Sequence, residues 1–255
     1  MSATFVHVHL EGAVGRIRLD RPPLNVLDLA MMAQLSAAVR RLGADPKVRV
    51  VAIAGEGKAF CAGVDVADHS ADRVGAMIER FHGAIRDVIA LEQPVVALVQ
   101  GAALGGGCEL ALACDIVVAR DDATFGQPEV KLGVFPPVAA ALLPRLVGRQ
   151  RALELVLSGR TLRAEAARAM GLVSDVVASD RWQTETDDRL QRMAALSGSA
   201  LRLAKRAVTG GLDQPFAAAL SLAEDLYLRE LMATADAREG IAAFLEKRTP
   251  VWQEA

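Results

Sequence analysis

A single carboxylate in apolar company is the first residue that could do chemistry. In VVALVQGAALGGGCELALACDIVVA (95–119), Glu109 follows Gly101, Gly105, Gly106 and Gly107. Every other residue from 108 to 114 is Leu, Ala or Cys. The pattern reads as strand, glycine turn, short buried helix and strand. Glycine lets backbone approach a ligand closely, and a helix start offers free N–H groups with partial positive charge. Such a turn suits an anion, or an oxygen that becomes negative during a reaction. A tight turn of purely structural purpose explains the glycines as well. An acid in an apolar helix carries a raised pKa unless it is hydrogen-bonded in its charged form. Glu109 therefore either stabilises the helix start or works as an acid or base beside those N–H groups. A dinucleotide-binding turn does not fit, because Leu110 stands where a third small residue belongs. A phosphate-binding P-loop is excluded by the missing lysine.

Two weaker segments accompany it. KAFCAGVDV (58–66) follows a buried strand, and Ala62-Gly63-Val64 has little side chain to block a ligand, although an ordinary loop would look the same. In FGQPEVKL (125–132), Glu129 follows Pro128 in an irregular segment, where it is either a functional carboxylate or a surface acid beside Lys131.

The elements that must position these residues alternate strand and helix. Residues 6–10 and 14–19 read as a hairpin across Glu11-Gly12-Ala13, 29–42 as a helix stopped by Gly43, and 48–54 as a strand covered on both faces. A helix over 73–91 ends before Pro94, and 95–99 and 116–119 are further buried strands. Strands interleaved with helices define an α/β core with crossover connections. After Arg181 the strand signal stops, and 181–196, 201–208, 216–232 and 235–247 read as helices suited to packing or assembly. The expected division is a core over 1–196 and a helical region over 197–255.

Composition narrows the partners. With 29 basic and 31 acidic residues the net charge is −2, which argues against a general binder of nucleic acid or an RNA scaffold. The longest uncharged stretch, 93–108, has 16 residues and four glycines, too short and flexible for a membrane span. The N-terminus lacks the pattern of a signal peptide. Cys61, Cys108 and Cys114 form no CxxC pair and read as core residues in a reducing, cytoplasmic setting. His7 and His9 share one face of a strand, a wet one, and no metal site is expected.

Taken together, LDRPPLNVLD (19–28), KAFCAGVDV (58–66), GAALGGGCELALACDIVVA (101–119), FGQPEVKLGV (125–134) and AREGIAAFLEKRTPVW (237–252) resemble the crotonase (enoyl-CoA hydratase/isomerase) superfamily. The segments come in the family's order and cover essentially the whole chain. The resemblance implies a spiral of ββα units with a C-terminal helical region that forms homotrimers, often paired into hexamers. It implies an acyl-CoA thioester substrate and no cofactor beyond the coenzyme A that the substrate carries. The family's oxyanion hole maps onto the N–H groups of Val64 and Gly106. Its two hydratase carboxylates map onto Glu109 and Glu129, 129 − 109 = 20 residues apart. Acids at both positions favour a hydratase over single-acid isomerases.

The resemblance also assigns substrate and coenzyme A contacts to Arg21, Pro22, Leu24, Ala62, Gly63, Asp65, Val66, Leu104, Gly105, Pro136 and Pro137, with Phe244 and Lys247 reaching the nucleotide end, often from a neighbouring subunit. Ordinary hydratases continue past GQPE with a glycine-rich run, whose first glycine offers an N–H near the bound water. Here Pro136-Pro137-Val-Ala-Ala follows, and Pro137 has no N–H to give. GVDVADH (63–69) and GVFPPVA (133–139) resemble the cyclohexa-1,5-dienecarbonyl-CoA hydratases of anaerobic aromatic degradation. That subgroup adds water to a cyclic dienoyl thioester.

Overall fold

The computed structural model describes residues 3–253. β1 (Val6–Glu11) and β2 (Val14–Leu19) form the expected hairpin, with Gly12 at φ 59° in its turn. α1 (Leu29–Gly43) starts where Asp28 accepts the Met31 N–H, a local cap written in the sequence. β3 (Val50–Gly55), β4 (Ala59–Cys61) and α2 (Val74–Ala90) make one ββα unit. β5 (Val95–Val99), β6 (Ala102–Leu104) and α3 (Gly106–Leu112) make the next. β7 (Ile116–Arg120) and β8 (Thr124–Gly126) begin a third, which runs into a 3-10 turn at Pro128–Leu132 and then α4 (Pro137–Val147).

The first strand of each unit joins a six-stranded sheet in the order β1-β2-β3-β5-β7-β10, and the second joins a four-stranded sheet, β4-β6-β8-β9. This is the ββα spiral expected. The central strands β3, β5 and β7 are buried on both faces, and their side chains alternate between two cores. Val51, Ile53, Val95, Ala97 and Val117 face α1, α2 and α3. Val50, Ala52, Val96, Leu98 and Val118 face Leu190 and Ala194 of the later helix α7.

The sequence reading passed over the segment that follows. α5 (Arg149–Ser158), β9 (Thr161–Arg163), α6 (Ala164–Met170) and β10 (Asp175–Val177) fill 149–177. β9 and β10 are three residues each, too short for a periodicity to show, and their partners β8 and β7 are distant in sequence. α4 did carry a signal, since Pro137 occupies its first turn, where proline is favoured. β4, β6 and β8 are equally short, so the expected loops at 58–66 and 125–132 each open on a strand.

α7 (Trp182–Ala194), α8 (Gly198–Gly211), α9 (Phe216–Asp225) and α10 (Ala235–Glu246) are the helices expected after Arg181. The helix read over 216–232 is not continuous. It widens into a π turn at Leu226–Glu230, where Leu226 is buried, and tightens into a 3-10 turn at Leu231–Ala233. Thr234 then caps α10 through the Ala237 N–H, so the chain changes direction here. Among the described residues no helix is long and apolar enough to cross a membrane. All three cysteines are buried and free. His7 and His9 lie on an outer face, and His7 Nε2 stands 3.7 Å from Asp20, a neighbour that sequence distance concealed.

One buried side chain ties the loop after β2 to β4. Asn25 sits at φ 55°, a conformation that Asn tolerates better than most residues. Its Oδ1 accepts the Arg21 N–H at 2.9 Å, and its Nδ2 donates to the Ala59 and Glu56 carbonyls at 2.8 and 3.0 Å. Asn25→Ala leaves those carbonyls unpaired and keeps a side chain that resists the backbone angle. A loss of about 2–4 kcal/mol is expected in urea unfolding. A change within ~0.5 kcal/mol, the range of ordinary surface substitutions, would remove this tie from the account.

Candidate active site

The three consecutive glycines before Glu109 each answer to a different neighbour. Gly105 has φ 50°, and a Cβ there would lie 2.6 Å from Glu129 Oε1. A Cβ on Gly106 would meet Val64 Cγ2 at 2.7 Å, and one on Gly107 would strike the Cys61 carbonyl of β4. The run therefore lets the second carboxylate, the Val64 loop and β4 all close on the start of α3.

Val64 is held from the other side. Leu27 N–H donates to the Gly63 carbonyl, and Asp65 N–H to the Leu27 carbonyl, both at 2.9 Å. This parallel bridge uses the amides on either side of Val64 and leaves the Val64 N–H out of it. Gly106 opens α3, so its N–H precedes the first intrahelical bond, Glu109 N–H to Gly105 C=O. Neither amide has a protein acceptor among the described residues.

Both residues line a cavity of about 210 Å³ shared with Glu109 and Glu129. At roughly 30 Å³ per liquid water, that is room for an acyl group and not for a whole coenzyme A. Val74, Met77, Ile78 and Phe81 of α2 make its apolar wall, and Leu132, Val134 and Phe135 the other.

All of α3 is buried, as its composition implied, and Glu109 is 3 % exposed. Burial pushes its carboxyl up to about 7, and the nearby Glu129 charge adds to the rise. Backbone amides oppose this. Ala139 N–H donates to Glu109 Oε1 at 2.7 Å, and the Val138 amide also favours the charged form. These are early amides of α4, whose cap position is Pro136 with no side-chain hydrogen bond to give. Glu109 therefore caps α4 from a different element. Glu109 thus lies in the first turn of its own helix while its carboxyl is hydrogen-bonded to the start of another. The N–H that Pro137 lacks is succeeded two residues later by that of Ala139.

Glu129 lies in the 3-10 turn after β8 and makes no ion pair with Lys131. Burial raises its carboxyl too. Gln127, buried beside it, places one end of its side-chain amide 3.3 Å from both carboxyl oxygens, and donates to them when that end is the nitrogen. Sequence reasoning missed Gln127, although it stands inside the quoted FGQPEVKL. It missed His69 and His82 as well, which also line the cavity.

Of the remaining expected contacts, Ala62, Gly63, Val66, Gly105, Pro136 and Pro137 line the cavity. Arg21, Pro22, Leu24, Asp65 and Leu104 do not. The Arg21 guanidinium donates to the Val26 carbonyl at 2.7 Å and pairs with Asp28 and Asp65 at 3.2 and 3.5 Å. It braces the Val64 loop instead of presenting a free charge. Leu24 acts through its carbonyl, which accepts the Ala62 N–H at 3.0 Å. Phe244, 83 % exposed, and Lys247 at the end of α10 are not among the residues lining this cavity.

This arrangement, two amides without acceptors and two carboxyls with raised pKa around an apolar cavity, fits a reaction at an acyl carbonyl and the carbons next to it. The family comparisons agree. Residues 9–255 match the enoyl-CoA hydratase/isomerase family. The chain belongs to that family and is an enzyme of its enoyl-CoA hydratase, hydro-lyase type. It is 41% identical over 251 residues to a probable enoyl-CoA hydratase of Rhizobium meliloti, with 97% of each chain covered. It is 39% identical over 254 residues to the cyclohexa-1,5-dienecarbonyl-CoA hydratase of Thauera aromatica, covering 97% of this chain and 96% of that one. The crystal structure of an enoyl-CoA hydratase from Bacillus anthracis superposes with a TM-score of 0.94 at 34% identity, covering 98% and 99%.

Burial of Glu109 has a thermodynamic consequence whose sign is fixed. A carboxyl raised in the folded state costs nothing below its unfolded pKa, near 4.5, and its full cost is present above about 7. Glu109→Gln keeps an acceptor for Ala139 and removes the charge. The variant is expected to be more stable than the parent at pH 8, by up to about 3 kcal/mol, with the gain vanishing near pH 4.5. Thermal unfolding across that range checks it, and a gain independent of pH would refute the buried-charge account.

Proposed function

We propose that this enzyme adds water to an α,β-unsaturated coenzyme A thioester whose acyl group is a cyclic diene, the cyclohexa-1,5-dienecarbonyl group, in anaerobic degradation of aromatic compounds. The observation that carries the hydration itself is the convergence of Glu109, Glu129, Val64 and Gly106 on one apolar cavity. The Val64 and Gly106 amides donate to the thioester oxygen, on which negative charge gathers as the adjoining alkene is attacked. In other enzymes, losing one such donor costs roughly 10²–10³ in rate. One carboxylate takes a proton from water as its oxygen bonds to carbon, and the other carboxyl gives a proton to the α-carbon, so the elements of water are conserved. Glu109, held by two amides that favour its charged form, is assigned to the water, and Glu129 to the α-carbon proton.

The cyclic substrate rests on finer support. Phe135, Pro136 and Pro137 make one side of the cavity stiff and bulky, and one relative at 39% identity carries that activity in its name. The relative at 41% is named only as a probable enoyl-CoA hydratase, which favours a linear short-chain substrate as the second reading. A panel of cyclic dienoyl and linear enoyl thioesters, followed by loss of conjugated absorbance, separates them. Faster turnover of crotonyl-CoA than of the cyclic diene would reject the cyclic substrate. Glu109→Gln and Glu129→Gln are each expected to lower kcat by about 10²-fold or more. Substantial activity in either would remove that carboxyl from the chemistry.

The same reading makes the enzyme a cytoplasmic homotrimer or a dimer of trimers. Its support is the apolar surface on the C-terminal helices, where Val208, Leu212, Phe216, Leu228, Phe244 and Leu245 are all exposed. Phe244 and Lys247 then serve the coenzyme A of a neighbouring subunit. Sedimentation of the purified protein as a monomer at micromolar concentration would overturn the assembly.

A further inference from the structure

The cavity holds an ionisable group that the hydration as described does not use. His69 ends a short 3-10 turn at Val66–His69, which follows directly on the Val64 loop and lines the same cavity as Glu129. Its Nδ1 lies 3.2 Å from the Asp65 carbonyl oxygen. A carbonyl only accepts, so Nδ1 carries the proton, and Nε2 is the acceptor of the neutral ring or a second donor of the charged one. Asp65 is itself fixed, since its side chain accepts the Ala67 N–H and pairs with Arg21. Asp68 in the same turn pairs with Arg73 at 2.5 Å, which pins the turn to the start of α2. The imidazole is thus mounted on a braced segment, with no direct hydrogen bond or ion pair to Glu129 among the described residues.

We propose that His69 is a positioning residue for Glu129: fixed through Nδ1, its imidazole acts across the cavity, by charge and through a shared ligand oxygen, to hold that carboxyl ready for proton transfer. The inference rests on the hydratase reading of this site and adds a group to it. Its charged form opposes the rise that burial imposes on Glu129. The other charged or titratable groups near it are Asp65, paired with Arg21, Asp68, paired with Arg73, His82 on α2, and Glu109 on α3. Burial, and then Arg86, disfavour the charged form of His82. His69 therefore brings to the cavity that Glu129 lines an imidazole anchored through Nδ1.

Two variants separate positioning from packing. His69→Gln keeps a polar group of similar reach without the charge, and His69→Leu keeps only bulk. With whichever enoyl thioester the parent turns over fastest, His69→Leu is expected to lose about tenfold in kcat with KM within threefold, the scale of one lost hydrogen bond. His69→Gln should recover part of that loss. In both, the limb of the pH–rate profile that belongs to Glu129 should move to higher pH. A readout independent of turnover is the carboxyl carbon resonance of Glu129 in glutamate-labelled protein, assigned by its disappearance in Glu129→Gln. Its titration midpoint should rise in His69→Gln. An unmoved midpoint overturns the proposal whatever the activity, as does parental kcat in both variants. Failure of every thioester in the panel would strike the hydratase reading and leave the carboxyl titration to decide on His69.

Discussion

Keeping a carboxylate out of water is the constraint on which the rest of this molecule turns. An isolated ionised acid in an apolar helix would neutralise itself or unfold its surroundings. Here Glu109 is offset by amides of a helix 30 residues further along the chain, so the charge and the start of α4 satisfy one another. Each solves a problem the other has, because Pro136 cannot cap α4 and α3 has no polar partner for Glu109. The outcome is an acid poised near neutrality, able to take and return a proton.

The scaffold around it brings Glu109, Glu129, Val64 and Gly106 to one cavity. Two sheets share the ββα units, so β3, β5 and β7 are each followed by a short strand that leads the chain to a site segment. The short strands β4, β6 and β8 end at the Val64 loop, the glycine turn and the Glu129 turn respectively. Three site segments thus emerge side by side from one small sheet. Close approach is then a matter of side-chain size, and the glycines at 105, 106 and 107 supply it against Glu129, Val64 and Cys61.

Much of the apparent binding machinery turns out to brace instead. Arg21 and Asp65 stand in the segments that resemble coenzyme A contacts, and here Arg21 pairs with both Asp65 and Asp28. Asn25 ties the same loop to β4. These polar contacts brace the loop that carries the Val64 N–H. The C-terminal helices contribute little to the cavity and carry exposed apolar side chains instead.

The long elements were legible because their periodicity is local: β3 and β5 as uninterrupted apolar runs, α1 with its Asp28 cap and Gly43 stop, α3 from its lone acid among Leu, Ala and Cys. Glu109, Glu129, Val64 and Gly106 were legible as types in motifs. The short strands β9 and β10 and the π turn at Leu226–Glu230 were not, since three to five residues carry no period and their partners lie far along the chain. Nor could any residue order disclose that Glu109 caps α4, that Gln127 faces Glu129, or that His69 shares their cavity. By itself the chain's sequence settled which chemical groups were present and on which elements they rode, because local composition and spacing are enough for that. Which of those groups meet was decided only by tertiary packing, because a hydrogen bond across 30 residues depends on where two elements come to rest against each other.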